Sequence, residues 1–277
     1  MNIQWFPGHM RASMELIKNS ISNSNIILEV VDARLPLSSS NPYIEKICQN
    51  TLTIKLLNKK DIADPGITKE WLQYYSEHNI KAFALSAKNL KETKKAMEYC
   101  KRTAKKNRAE KLKVMVLGIP NTGKSTIINA IVGKKVAKTG NVPAITRNNQ
   151  RMATKDMDIY DTPGLLWPVL EPKLRGDILA ASGAIANSVV DLHDTGAFTI
   201  DFLLNNYPSV LKARYNIDSL PENNTLLIEK IGAKRGCLKK GGKIDILKTY
   251  EIVVNELRQG KLGRISFEKP VDIVETP

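Results

Sequence analysis

Short apolar runs recur along the first part of the chain: "NIILEVVD" (25–32), "LTIKLLN" (52–58), "IKAFALS" (80–86) and "LKVMVLG" (112–118). Each is too brief for a buried helix and is bounded by turn-forming residues, so each predicts a strand covered on both faces. "NQRMATK" (149–155) and "MDIYD" (157–161) predict a hairpin. Residues 42–50, 68–78, 90–107 and 124–132 carry helical spacing. In 90–107, Leu90, Met97, Cys100 and Ala104 fall on one stripe with the lysines elsewhere. Strands alternating with helices predict an α/β domain, a mostly parallel sheet with helices on both faces.

The pattern changes after Gly164. "LLWPVLEPK" carries two prolines and predicts a linker. Beyond Asp177 the apolar spacing is helical throughout, with no further strand alternation. The expected organisation is a first domain over 1–167, a linker over 168–177 and a small all-helical domain over 178–277, its helices ending near Gly263 before an irregular tail.

Composition narrows the class. With 42% hydrophobic and 25% charged residues, the 277-residue chain is an ordinary globular protein. No apolar run approaches the roughly 18 residues of a membrane span. The first residues lack a basic stretch followed by an apolar one, so a cytoplasmic protein with no membrane partner is expected. Cys48, Cys100 and Cys237 are widely spaced and fit no zinc pattern. The net charge of +14 is uneven: residues 1–177 hold 29 Lys+Arg against 16 Asp+Glu, and 178–277 hold 13 against 12. Such a field attracts phosphate backbones, the alternative being a solvated helix face that aids solubility.

Three motifs carry chemistry. "GIPNTGKS" (118–125) follows a predicted strand and opens a predicted helix, the setting of a phosphate-binding loop. Backbone N–H groups over 121–126, from Asn121, Thr122, Gly123, Lys124, Ser125 and Thr126, would cradle the β-phosphate. Lys124 would neutralise β and γ oxygens, and the Ser125 hydroxyl would ligate Mg²⁺. "DTPG" (161–164) ends another strand, so Asp161 would hold Mg²⁺ and the Gly164 N–H would meet the γ-phosphate. "NKKD" (58–61) supplies a base reader: the Asp61 carboxylate can accept from the guanine N1–H and exocyclic amine, a pair adenine does not offer. Asn58 would contact the other base edge and the Lys59 stem would pack on the nucleotide. Ser86 and Ala87 of "SAK" would close over the base.

These parts stand in an unusual order, with base loops before phosphate loops. A cyclic shift of the gene accounts for it, the former termini being joined by the basic stretch 88–113 and new ends opening after "DTPG".

The arrangement resembles the circularly permuted GTPases that act in ribosome assembly, through "WFPGHM", "VDARLP", "LNKKD", "GIPNTGKS", "DTPG", "IGAKRGCLKKGG" and "GKLGRISFEKP". The resemblance implies a circularly permuted P-loop GTPase fold followed by a helical domain, with GTP and GDP as ligands. It also implies the large ribosomal subunit precursor as partner and a monomeric state. It makes Thr146 of "NVPAITRNNQ" the switch threonine on Mg²⁺, although Ala144 stands where the family usually has Gly. It matches Asn121 to an asparagine that supports a bound K⁺; a residue merely shaping the turn is the alternative. Leu165 and Leu166 cannot orient an attacking water, and the resemblance points to His9 for that role, against a loop histidine packing on Trp5 or Phe6. Lys230, Lys234, Arg235, Lys239, Lys240 and Lys243 become an RNA-facing patch with "KKGGK" as a flexible loop, the alternative being a solvated surface. Competing classes are an RNA-binding scaffold with a structural nucleotide, and a P-loop kinase or ATPase.

Overall fold

The computed structural model describes residues 20–48, 51–104, 111–134, 150–162, 164, 173–186, 188–221 and 223–273. They fall into two compact units, Met1–Pro172 with Ser266–Pro277, and Lys173–Ile265.

The first unit holds a sheet of β1 (Ile26–Asp32), β2 (Leu52–Asn58), β3 (Ala82–Ala84), β4 (Leu112–Leu117), β5 (Gln150–Ala153) and β6 (Met157–Asp161). Their order is β3-β2-β1-β4-β6-β5, every neighbouring pair parallel except β5 with β6. Central β1 is buried along its whole length, which is why its sequence is apolar at every position but Glu29 and Asp32. Its side chains alternate between two cores. Ile26, Leu28 and Val30 join Ala96, Met97 and Cys100 of α4 (Leu90–Thr103) and Ile127 and Ile128 of α5 (Lys124–Val132). On the other face, Ile27 meets Ile44 of α2 (Pro42–Ile47), and Val31 clusters with Ile67, Trp71 and Tyr75 of α3 (Pro65–Glu77). Glu29 on that face is neutralised by Lys55 of β2 at 2.7 Å.

Several boundaries differ from the expected ones. α3 starts at Pro65 because Asp64 caps it, accepting from the Gly66 and Ile67 N–H groups at 2.8 and 3.0 Å. A short α1 (Pro36–Ser39) was too small to show periodicity. In α4 the buried stripe is Thr93, Ala96, Met97 and Cys100, whereas Leu90 is 61% exposed at the first turn.

The second unit is helical: α6 (Lys173–Ser182), α7 (Leu192–Asn206), α8 (Pro208–Tyr215), α9 (Asn224–Arg235) and α10 (Ile246–Arg258). α6 begins inside the stretch expected as linker. α7 and α10 pack closely at Gly196, where an added Cβ would fall 2.3 Å from the Tyr250 ring. Buried Glu256 of α10 accepts from Arg214 Nη2 at 2.7 Å and from the Tyr215 hydroxyl at 3.0 Å. The tail was expected to extend the helical domain to its end. Ser266 onward groups instead with the sheet unit, where the Phe267 N–H donates to the Arg34 carbonyl at 2.7 Å. All three cysteines are free and buried. Among the described residues no helix is long and apolar enough to cross a membrane.

Candidate functional site

Parallel strands end on the same edge of a sheet, so the loops after β2, β3, β4 and β6 emerge together. The loop after β4 is shaped by its backbone. Gly118 lies at φ +147, where a Cβ would strike the Val30 carbonyl oxygen at 2.4 Å, so only glycine lets the loop cross β1 this closely. Asn121 adopts φ 59, a left-handed conformation that asparagine tolerates, consistent with its turn-shaping alternative.

Lys124, buried at the start of α5, curls back to donate to the Gly118 and Ile119 carbonyls at 3.0 and 2.8 Å. Burial lowers its pKa to about 8, with the nearby Asp161 carboxylate opposing the fall. At neutral pH the ammonium therefore keeps its charge. Asp161 closes β6 and is itself buried, and the Thr162 hydroxyl pins the following turn by donating to the Val116 carbonyl at 2.8 Å. Gly164 lies against the same loop: a Cβ there would come 2.8 Å from the Pro120 nitrogen and 3.0 Å from Lys124 Nζ. Ser125 and Thr126 are half-buried at the same helix start, and the Thr122 hydroxyl donates to the Ile119 carbonyl at 3.1 Å.

One side chain joins the base loops to this phosphate loop. The Asn58 amide donates to the Thr122 carbonyl at 2.8 Å, and its oxygen accepts from the Ala87 N–H at 2.9 Å. Asn58 is 3% exposed and lies so close that a Cβ on Gly123 would meet its nitrogen at 2.3 Å. Expected to touch a base edge, Asn58 here braces three loops. Asp61 sits beside it, more exposed, with Lys88 Nζ at 3.2 Å. Burial would raise its pKa, but hydrogen bonds from Ser86 and Lys88 outweigh that and lower it, so the carboxylate is ionised. Asp61, Ser86, Ala87 and the phosphate loop are thus brought to one edge, whatever their order in the gene.

Motif reading missed two residues in these loops. Glu92, in the first turn of α4, accepts from the Ser86 N–H at 2.9 Å and pairs with Lys60 at 2.7 Å, tying the two base loops together. Asp32, at the end of β1, accepts from Lys59 Nζ and from Arg34 Nη2, each at 2.8 Å. Burial would raise its carboxyl pKa; the Arg34 and Lys59 charges outweigh this and hold it well below the usual range. Lys59 itself is lowered by burial, against Asp32, and sits at φ 64. The signal for Asp32 lay in "VDARLP", two charged residues breaking an apolar strand end.

A divalent cation beside the phosphates would find a hydroxyl from Ser125 and a carboxylate from Asp161. An all-oxygen donor pair of this kind fits hard Mg²⁺ and not a thiophilic metal. Thr146 and His9, the other residues named for metal and water, lie outside the described residues, as do Ala144, Leu165 and Leu166.

In the second unit, Lys230, Lys234, Lys239, Lys240 and Lys243 are exposed. Arg235 departs from that set: it pairs with Glu256 at 2.5 Å and stacks over the Tyr215 ring at 5.2 Å. "KKGGK", expected as flexible, is a closed turn. Leu238 bridges Ile244, the Lys239 N–H donates to the Lys243 carbonyl at 2.8 Å, and Gly241 and Gly242 supply φ +85 and +77.

A phosphate loop and guanine-type loops converging on one edge of a mostly parallel sheet define an α/β P-loop GTPase in permuted order, followed here by a helical unit. A family model described as 50S ribosome-binding GTPase matches residues 113–217. Ribosome biogenesis GTPase A of Bacillus licheniformis is 41% identical over 283 residues, spanning 99% of this chain and 100% of that protein. The chain belongs to the ribosome biogenesis GTPase A family. The Thermotoga maritima member is 34% identical over 98% of this chain and 96% of its own. A crystal structure of GNP-bound YlqF from T. maritima aligns with TM-score 0.67 at 27% identity, over 94% of this chain and 98% of that one.

Proposed function

We propose that this chain hydrolyses GTP and serves as an assembly factor for the large ribosomal subunit, binding the precursor particle in its GTP form and leaving after ribosome-stimulated hydrolysis. The observation that carries the nucleotide site is the Asn58 amide, one hydrogen bond from the phosphate loop and one from the second base loop. Asp61 accepts from the guanine N1–H and amine, Ser86 and Ala87 close over the base, and the Lys59 stem packs beside it. N–H groups of 121–126 cradle the phosphates. Lys124 exchanges its loop carbonyls for phosphate oxygens. Ser125, Asp161 and Thr146 would hold Mg²⁺, which would supply positive charge against the phosphate oxygens. Gly164 presents its N–H to the γ-phosphate, so loss of that phosphate releases the segment leading to the helical unit. His9 orients the attacking water, a role that calls for positioning more than basicity.

The partner is supported by the relatives' name and by the family description, 50S ribosome-binding GTPase. The exposed lysines of the second unit then face rRNA. GTP turnover measured with and without large subunits, in K⁺ and in Na⁺, tests both halves. Stimulation of tenfold or more is expected. A rate indifferent to the subunit would favour an RNA-binding scaffold with incidental hydrolysis, and a faster rate in K⁺ that Asn121→Ala abolishes would support the cation role of Asn121.

A further inference from the structure

The segment that follows the helical unit, Ser266–Glu268, is buried against the sheet unit beside the guanine loop. Ser266, Phe267 and Glu268 are 3%, 8% and 4% exposed. They are linked to both flanks of the loop that carries Asp61, directly at Asp64 and through Arg34 and Asp32 at Lys59. On one side the Phe267 N–H donates to the Arg34 carbonyl at 2.7 Å. Arg34 donates from its backbone N–H and Nε to Asp32 at 3.1 and 3.0 Å, and Asp32 in turn accepts from Lys59, two residues before Asp61. On the other side Ser266 Oγ accepts from the Asp64 N–H at 3.1 Å, three residues after Asp61, where Asp64 caps α3. Glu268 locks the segment in place. Its carboxylate accepts from the Leu37 and Ser38 N–H groups at 2.8 and 3.0 Å, and its carbonyl accepts from Trp71 Nε1 at 3.0 Å.

A tail could be anchored anywhere on a sheet domain for stability. This one reaches the guanine loop by two short hydrogen-bonded routes that arrive on either flank of Asp61. Lys59 holds a left-handed backbone, φ 64, that a lysine does not favour, so its conformation depends on what it is tied to. The tie is Asp32, and the turn containing Asp32 and Arg34 is the part the strap fastens.

We propose that Ser266–Glu268 is a positioning element for guanine recognition, with Glu268 and Ser266 as positioning residues that act through Arg34, Asp32 and Asp64 on the loop carrying Asp61. The inference rests on the reading that Asp61 takes the guanine amine. It has a reciprocal consequence, since linkage requires that guanine binding tighten the strap as much as the strap tightens guanine binding. Because Ser266 directly follows Ile265, the last residue of the helical unit, occupancy of the base site is registered at that unit's carboxy-terminal end. Events at the γ-phosphate act on its amino-terminal end.

The test compares the full chain with Glu268→Gln and Ser266→Ala. Dissociation constants are measured for GDP and for inosine diphosphate, which lacks the exocyclic amine, alongside melting temperature. The wild-type chain is expected to prefer GDP, and each variant to lose at least threefold of that preference. A variant that melts lower yet keeps the full GDP-to-IDP ratio would make the strap a stability clamp only and overturn the proposal. A wild-type chain without preference would overturn the guanine reading itself, and the proposal with it. A second arm follows amide exchange at Leu37, Ser38 and Phe267. GDP should slow it at least threefold while pyrophosphate leaves it unchanged; equal protection by the two would overturn the link to the base.

Discussion

Replacing Asn58 with Ala removes a side chain that is 3% exposed and makes a hydrogen bond to each of two other loops. The buried Thr122 carbonyl and Ala87 N–H each lose the hydrogen bond that Asn58 supplies. An unsatisfied buried group costs about 1–3 kcal/mol, so the pair should lower unfolding stability by ~2–6 kcal/mol. Nucleotide affinity should fall as well, because loops no longer held in register must be ordered by the ligand. An ordering cost of about 1.4 kcal/mol is tenfold in GDP dissociation constant. Asn58→Asp sharpens the sign: its carboxylate still accepts from Ala87 but turns a second oxygen on the Thr122 carbonyl, so it should be no better than Ala at pH 7 and improve as the pH falls. Urea unfolding followed by fluorescence and calorimetric titration of GDP measure both quantities. A stability loss below about 0.5 kcal/mol together with unchanged GDP affinity would show that the three loops are not coupled through this amide.

Gly164→Ala places a methyl 2.8 Å from the Pro120 nitrogen and 3.0 Å from Lys124 Nζ, so the segment must retreat from the phosphate loop. GDP affinity should stay within about threefold while phosphate release from GTP slows at least tenfold; a wild-type rate would remove Gly164 from the mechanism. For Lys124, whose pKa is lowered to about 8 by burial, anion binding draws on the protonated form. From pH 7 to pH 9 GDP binding should weaken about tenfold, whereas guanosine, which has no phosphate, should be unaffected. The sign for folding is opposite. Between about 8 and 10.5 the unfolded chain holds a proton that the folded one has released, so this group's contribution to stability rises with pH. A flat GDP profile across pH 8 would place the lysine away from the phosphates.

Much of this site was legible because its chemistry is local. A phosphate loop needs glycines at fixed offsets and a lysine opening a helix, and a largely apolar strand such as β1 announces burial on both faces. What escaped was long-range. The Asn58 amide could be assigned to a base edge until its partners, Thr122 and Ala87, were seen 64 and 29 residues away in the chain. Glu92 and Asp32 are acidic residues with no motif spacing to a partner, and only the fold sets them on Ser86 and Lys59. The same holds for Glu268, whose partners Leu37 and Ser38 lie some 230 residues earlier. Arg235 looked like a free cation in a basic run, yet Glu256 on the next helix takes it. Short α1 and the start of α3 were missed for a different reason, being set by a proline and a cap and not by periodicity.

In the proposed function, loops reversed in the gene hold one guanine nucleotide, with Asp61 reading its base. Competition binding of GTP and xanthosine triphosphate to the wild-type chain and to Asp61→Asn tests it most directly, since an amide can donate to the xanthine 2-oxygen and can no longer accept both guanine N–H groups. Two charge-assisted hydrogen bonds at about 1.5–3 kcal/mol each predict at least a hundredfold loss of GTP affinity in the variant and a preference for the xanthine nucleotide. Unchanged GTP affinity in Asp61→Asn would contradict it.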